Sequence, residues 1–442
     1  MRRVLKKIRF SFLLIIAFFK KHQKLIFLGF SLGFLSYWGL PKIYKKFFFY
    51  QTERIGYVGK FTYDNLPLEI QEKISMGLTT ISPDVHVLPQ LAQSWEINKE
   101  GREYIFTLKS NLFWQDGKMF RAQDINYNFS DVATIPLDEK RIKFELKEPF
   151  SPFLSIVSRP IFKDSLIGVG KYKVKKIKRN GSVIQSISLF SKNEKRKIIF
   201  KFYPTEETLK TAFKLGEVDI IKEVTHPGDL TFWPRIKINS EVKYNRFVGI
   251  FFNTRISKFS EKSVRQALAY AIQKKWPYRA FTPINPYCWA YNPNVKPYNF
   301  DLENAKKLLE KSKNNEQEVK EIELSTISSL MDVAEEIKKD WEKLGIKCKI
   351  KLINNLDESF EVILAIQEIP PDPDQYIFWH STQSLNITKY KSPKIDKLLE
   401  DGRKTFDEAK RKEIYLDFQR SLVEETPTIF LFHPTVYTIS KI

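Results

Sequence analysis

The 442-residue chain is 43% hydrophobic and 14% aromatic, which is enough for two or three lobes with separate cores and too much chain for one ordinary domain. Its formal net charge of +21 is unevenly placed: roughly 13 Lys/Arg stand against the single acid Glu53 in residues 1–60, leaving a moderate surplus on the body. That basic block flanks apolar runs, so it points to lipid attraction and topology control rather than nucleic-acid binding, and the lack of repeats argues against solenoids and propellers.

Two apolar runs open the chain, residues 10–19 and 25–40, separated by Lys20, Lys21, His22, Gln23 and Lys24. The first is too short to span a bilayer and, behind Arg2, Arg3, Lys6, Lys7 and Arg9, is expected as an interfacial helix. The second, about 16 residues long, is expected as a transmembrane signal anchor, with Tyr37 and Trp38 at the far interface and lysines that snorkel. The larger basic cluster precedes it, which keeps the N-terminus inside and puts the body outside the cytoplasm. No small-residue cleavage site follows, and no cysteine precedes Cys288 to carry lipid. The GFSLG at residues 29–33 matches a serine-hydrolase elbow only formally, since it lies inside the apolar run.

From residue 54 the pattern is mixed α and β. Residues 66–78 have helical spacing and end in a Gly-containing turn. Tyr104, Phe106 and Leu108 alternate with Ile105, Thr107 and Lys109, the Asp116-Gly117 turn follows, and Ile142, Phe144 and Leu146 alternate again. Residues 86–165 are therefore expected as a small strand-rich lobe. Residues 263–275 predict a helix with a Ser263/Gln266 capping box, stopped by Pro277. A strand at 322–327, a helix at 331–344, Gly345 as its terminator and an alternating strand at 346–353 make a βαβ unit, so this part should hold a parallel sheet. Residues 360–366 form a buried strand, 409–425 a long amphipathic helix, and 428–432 a final strand.

Catalytic and metal signatures are missing. The five histidines are scattered, no zinc spacing occurs around Cys288 or Cys348, and there is neither a phosphate-binding loop nor a dinucleotide turn. Asp372 and Asp374 flank Pro373 in an arrangement that either caps a turn or holds a cation. Cys288 and Cys348 are compatible with one disulfide or with two buried thiols. No metal and no cofactor is implied.

In order and spacing, these segments resemble the family 5 extracellular solute-binding proteins, the oligopeptide, dipeptide and nickel binders of ABC importers. The resemblance rests on LPQLAQSWEINKEGREYIFTLKSNLFWQDGKMFRAQDINYNF at 88–129, GKYKV at 170–174, GEVDI at 216–220 and FFNT at 251–254. VRQALAYAI at 264–272, DLENAKKLL at 301–309, LGI at 344–346, PDPD at 371–374 and TPTIFLFHP at 426–434 continue it, so that it covers roughly 55–442. It implies an α/β, two-lobed periplasmic-binding-protein-like type II fold with an inserted strand-rich subdomain, besides the N-terminal transmembrane helix. The expected division is 1–54 for the basic N-terminus and anchor; 55–85, 166–245 and 427–442 for the first lobe; 86–165 for the inserted subdomain; and 246–426 for the second lobe.

The implied activity is capture of a peptide or similar small solute in an interlobe cleft by hinge closure, without catalysis. The implied partners are permease and ATPase subunits of an importer and the membrane, with no nucleic acid. A tethered sensor using the same fold, or a hydrolase, are the alternatives. Aromatic walls with a few directed polar groups suit such a cleft, and the candidates are Thr79, Thr80, Trp114, Asn253, Tyr287, Trp289, Gln367, Glu368, Trp379 and His380. Where peptide-binding members place an Asp three residues before their DP dipeptide to meet a ligand ammonium, this chain has Ile369 with Glu368 beside it. Either Glu368 takes over that task or a free peptide N-terminus is not recognised.

Overall fold

The computed structural model describes residues 2–48, 50–164, 166–313, 319–353 and 359–442. The chain divides into two units, one of residues 1–53 with 190–198 and the other of residues 54–189 with 199–442. In the first unit, Arg2–Phe48 is one helix, kinked at His22, where φ is −109° and ψ is 15°. The kink falls inside the Lys- and Gln-rich linker, so two helical stretches meet at the point where the sequence separates the two apolar runs. Among the described residues no helix is long and apolar enough to cross a membrane. The side chains of residues 1–11, 15, 35 and 39–49, which include the basic cluster from Arg2 to Arg9, lie outside the described residues. Elsewhere in this unit Tyr50 meets Phe190 edge-on at 4.8 Å, and Arg196 pairs with Glu53.

Beyond the N-terminal helix the chain builds three principal sheets. The first runs Ile236–Val242, Thr435–Lys441, Ile220–Val224, Gln51–Val58, Arg196–Tyr203, Val183–Ser191, Lys173–Asn180. The second runs Lys347–Leu352, Glu321–Thr326, Val362–Glu368, Arg246–Phe252, Thr428–Phe432. Its first three strands are parallel and the remaining pairings antiparallel. The small sheet, Ala92–Ile97, Glu103–Leu108, Arg141–Leu146, Val132–Pro136, is antiparallel throughout.

Side-chain periodicity explains each sheet. Tyr104, Phe106, Ile142 and Phe144 are buried on one face of the small sheet, and Phe106 and Phe144 meet edge-on at 5.8 Å. In the βαβ unit, helix Met331–Glu342 buries Ala334, Ile337 and Trp341, while the Trp341 indole donates to the Leu268 carbonyl at 3.1 Å. Gly345, at φ +80°, ends the turn beyond that helix, as a left-handed terminator should.

Two sequence expectations change, and one that was left open is decided. Helix Lys262–Tyr270 begins after Glu261 with no side-chain cap. Gln266 instead donates to the Tyr298 hydroxyl and the Glu424 carbonyl, each at 2.9 Å, so tertiary acceptors displace the local capping box. Residues 427–442 do not stay with the first sheet as a block. Thr428–Phe432 pairs in the second sheet, because Ile429, Phe430 and Leu431 are buried in that sheet's core, and only Thr435–Lys441 joins the first. Finally, Cys288 and Cys348 are both buried and free, and burial pushes their thiols up to about 11 and about 12 respectively.

Candidate functional site

Two short connections join the two large sheets: residues 243–245, between Ile236–Val242 and Arg246–Phe252, and residues 433–434, between Thr428–Phe432 and Thr435–Lys441. They are laced together. Lys243 donates its N–H to the Pro434 carbonyl at 2.9 Å, and His433 Nδ1 lies 2.9 Å from the Arg246 carbonyl oxygen. Burial lowers the His433 pKa below the ordinary imidazole value, against the pull of the Arg246 carbonyl. Glu223, from the first sheet, reaches Arg246 at 3.2 Å and Lys243 at 3.6 Å.

Aromatic side chains collect at these crossings. The Tyr244 ring meets Tyr287 edge-on at 5.0 Å and lies 5.1 Å from the His433 ring, while Tyr287 keeps 60% of its surface exposed. The strand carrying Gln367 and Glu368 ends here, in register with Phe247 and Arg246, and Ile369 donates to the Asn245 carbonyl at 2.7 Å. Glu368 is exposed, and among the described residues it has no ion-pair partner. The Gln367 amide nitrogen is buried without a hydrogen-bond partner. Tyr287 and the adjacent pair Gln367 and Glu368, about 80 residues further on, are thus all placed around the crossings.

The PDPD turn that follows is committed internally. Asp374 donates its N–H to Asp372 Oδ1 at 2.9 Å, and Tyr376 donates to Asp374 Oδ1 at 3.1 Å. Arg411 takes both Asp372 oxygens, at 3.0 and 2.5 Å, and Arg403 takes Asp374 at 2.9 Å. Burial raises the Asp374 pKa, opposed by the Arg403 charge. Each aspartate therefore serves a turn and an arginine, and among the described residues no group of three metal-ligating side chains occurs. Trp289 lies under the Arg411 guanidinium at 5.6 Å.

Beyond this turn a cavity of about 690 Å³ opens between the small sheet's lobe and the second. Phe129, Phe150 and Phe153 line one side, and Tyr376, Glu400 and Arg403 the other. Arg403 stacks over Tyr376 at 3.9 Å, and Lys404 pairs with Glu148 at 3.1 Å. Ser151 donates its N–H to the Arg403 carbonyl at 2.7 Å, which ties the two walls together. His380 backs the cavity: its ring stacks on Tyr376 at 4.1 Å and its Nε2 lies 3.3 Å from Glu400.

The other sequence-selected residues have local tasks. Thr79 is buried and donates to the Leu154 carbonyl at 2.6 Å, and Thr80 pairs in register with Leu88. Trp114 sits in the small lobe's core, with its indole N–H on Asp124 at 3.1 Å. Asn253 donates to the Phe360 carbonyl at 3.2 Å and accepts from the Arg255 N–H at 3.3 Å. Trp379 is buried near Phe251 and Phe430, both at 6.3 Å. Sequence reasoning did not select Tyr244, Tyr376, Arg403 or Phe150. The four-residue spacing of Tyr376 and His380 was the available sign that they share a helical face.

The family described as bacterial extracellular solute-binding proteins, family 5 Middle, matches residues 86–386. The chain belongs to this family. Its members are solute-binding proteins rather than enzymes. The dipeptide-binding protein of Escherichia coli is 22% identical over 79% of this chain and 82% of its own length. The nickel-binding periplasmic protein of the same organism is 23% identical over 88% of both chains. Among solved structures, NikZ from Campylobacter jejuni with Ni(L-His) superposes with a TM-score of 0.76 at 22% identity, covering 88% of this chain and 94% of NikZ. The oligopeptide-binding protein AppA from Bacillus subtilis with a nonapeptide gives 0.71 at 18%, covering 89% and 95%. These family 5 neighbours share the mixed α/β sheets described above.

Proposed function

We propose that this chain is the extracytoplasmic receptor of an ABC importer, which closes on a peptide or similar small solute and hands it unchanged to permease and ATPase subunits. The observation that carries the reading is the pair of short crossings between two large sheets. Rotation about residues 243–245 and 433–434 needs few backbone changes, so open and closed forms can differ little in free energy. Tyr287 and Glu368, exposed at the crossings, are the residues we assign to the solute, with Tyr376 and Arg403 in the cavity beyond. Because Ile369 is buried where a carboxylate would meet a ligand ammonium, Glu368 is the acid left to do so. The N-terminal helix is assigned as the membrane anchor, with the body outside the cytoplasm. Its side chains Phe27 and Phe30 are 75% and 76% exposed, and so are available to lipid.

The test is native mass spectrometry of the full chain purified without denaturation, followed by calorimetry with short peptides and their N-acetylated forms. We expect bound solute released chemically intact, and weaker binding after acetylation. Peptide cleavage, or no binding across a peptide and metal-chelate panel, would overturn the proposal.

A further inference from the structure

One end of the first sheet carries an unusual set of side chains. Phe232 is 88% exposed, Ile442 87%, Leu215 73% and Trp233 38%. They form one surface. Ile442 donates its N–H to the Arg235 carbonyl at 2.9 Å, which places it beside Phe232 and Trp233. Lys214 lies 5.9 Å from the Trp233 ring, and the Lys441 ammonium is 3.6 Å from where a Cβ on Gly216 would sit, next to Leu215.

The charges on this surface do not cancel. Its side-chain acids are already paired: Asp229 with Lys214 at 2.6 Å, Glu217 with Lys201 at 3.5 Å, and Asp219 with Arg54 at 2.6 Å. Arg235, Lys237 and Lys441 have no ion-pair partner among the described residues and are exposed. The position is informative too. Arg54, where the chain enters this unit, is held by Asp219, whose carbonyl accepts the Lys441 N–H at 3.0 Å. Arg54 and Lys441 thus both meet Asp219 at this end of the sheet.

We infer that this end of the first sheet docks on the membrane surface, with Phe232, Trp233 and Leu215 in the interfacial zone and Arg235, Lys237 and Lys441 on anionic lipid headgroups. The inference rests on the anchor assigned above. Aromatic rings with cations beside them are the pairing that suits a headgroup layer, where an apolar body and a charged tip are satisfied together. A solute would not need such an exposed, cation-rimmed surface, and the tether delivers it to lipid at high effective concentration.

The test uses the full chain in vesicles of phosphatidylglycerol and phosphatidylcholine with brominated acyl chains, which quench nearby tryptophan. Emission of the unaltered chain minus that of Trp233→Phe isolates Trp233 from the other seven tryptophans, Trp38 included. We expect this difference emission to fall by about half on anionic vesicles, and clearly less on pure phosphatidylcholine. Quenching that is absent, or equal on both lipids, overturns the docking surface while leaving the anchor standing if the chain still sediments with vesicles. Failure to sediment at all overturns the anchor and the docking surface together.

Discussion

Replacing Arg411 with Met tests what the PDPD turn is for. The Arg411 side chain is 8% exposed, chelates both Asp372 oxygens and donates through Nε to the Gly402 carbonyl at 2.9 Å. Methionine keeps an aliphatic stem of similar length but leaves a carboxylate, itself 13% exposed, without its cation. Breaking one side of such a buried pair costs about 3–5 kcal/mol, while the Gly402 carbonyl keeps the Ser151 hydroxyl, which donates to it at 3.2 Å. The double variant Arg411→Met/Asp372→Asn removes the buried charge and should recover at least about half of that loss. Urea titrations followed by tryptophan emission measure both values. Several lobes make a single transition unsafe, so circular dichroism should be followed alongside. If Arg411→Met loses less than about 1 kcal/mol, or the double variant is no better than the single, the pair is not the buried, mutually dependent one described. A gain of divalent-cation binding on freeing Asp372 would further show that the arginine had been occupying a metal site.

Two further outcomes follow from the geometry. His433 is held neutral by burial, so below the ordinary imidazole value of 6.5 the unfolded chain binds a proton that the folded chain refuses. Stability should be full above that pH and fall as pH drops below it, whereas His433→Gln should flatten the slope between about pH 7 and 5; an unchanged slope in thermal melts would refute this. A Cβ on Gly168 would sit 2.0 Å from the Ile74 carbonyl oxygen and 2.7 Å from Ser75 Cβ, so Gly168→Ala should cost about 1–3 kcal/mol in the same urea assay. An unaffected midpoint would mean the two segments are not packed as described.

Much of this architecture was legible in the amino-acid sequence, for a local reason. Alternation at Tyr104, Phe106 and Leu108, and the 3.6-residue stripe of Ala334, Ile337 and Trp341, depend only on neighbours within one element. The strand, helix, Gly345 and strand succession therefore announced a parallel pairing, found as Glu321–Thr326 beside Lys347–Leu352. The ordered motifs from 88 to 434 announced the family in the same way. Site residues were harder to read, because exposure is decided by what packs on a side chain from elsewhere. Trp114 and Tyr287 look equally able to face a solute in sequence, yet one is enclosed by Phe120 and Asp124 and the other is left open.

What the sequence determined by itself was each element's type, the buried face it presents and its place in a known order of motifs, since these follow from periodicities of two and 3.6 and from turn chemistry. The tertiary structure alone decided which charges meet. Asp372 finds Arg411 39 residues away, and Gln266 finds Glu424 158 residues away in place of its helix start. It also decided that the chain passes between sheets at 433–434 instead of at Pro427. Desolvation and long-range pairing set these outcomes, and both act on groups brought together in space, where no local pattern records them.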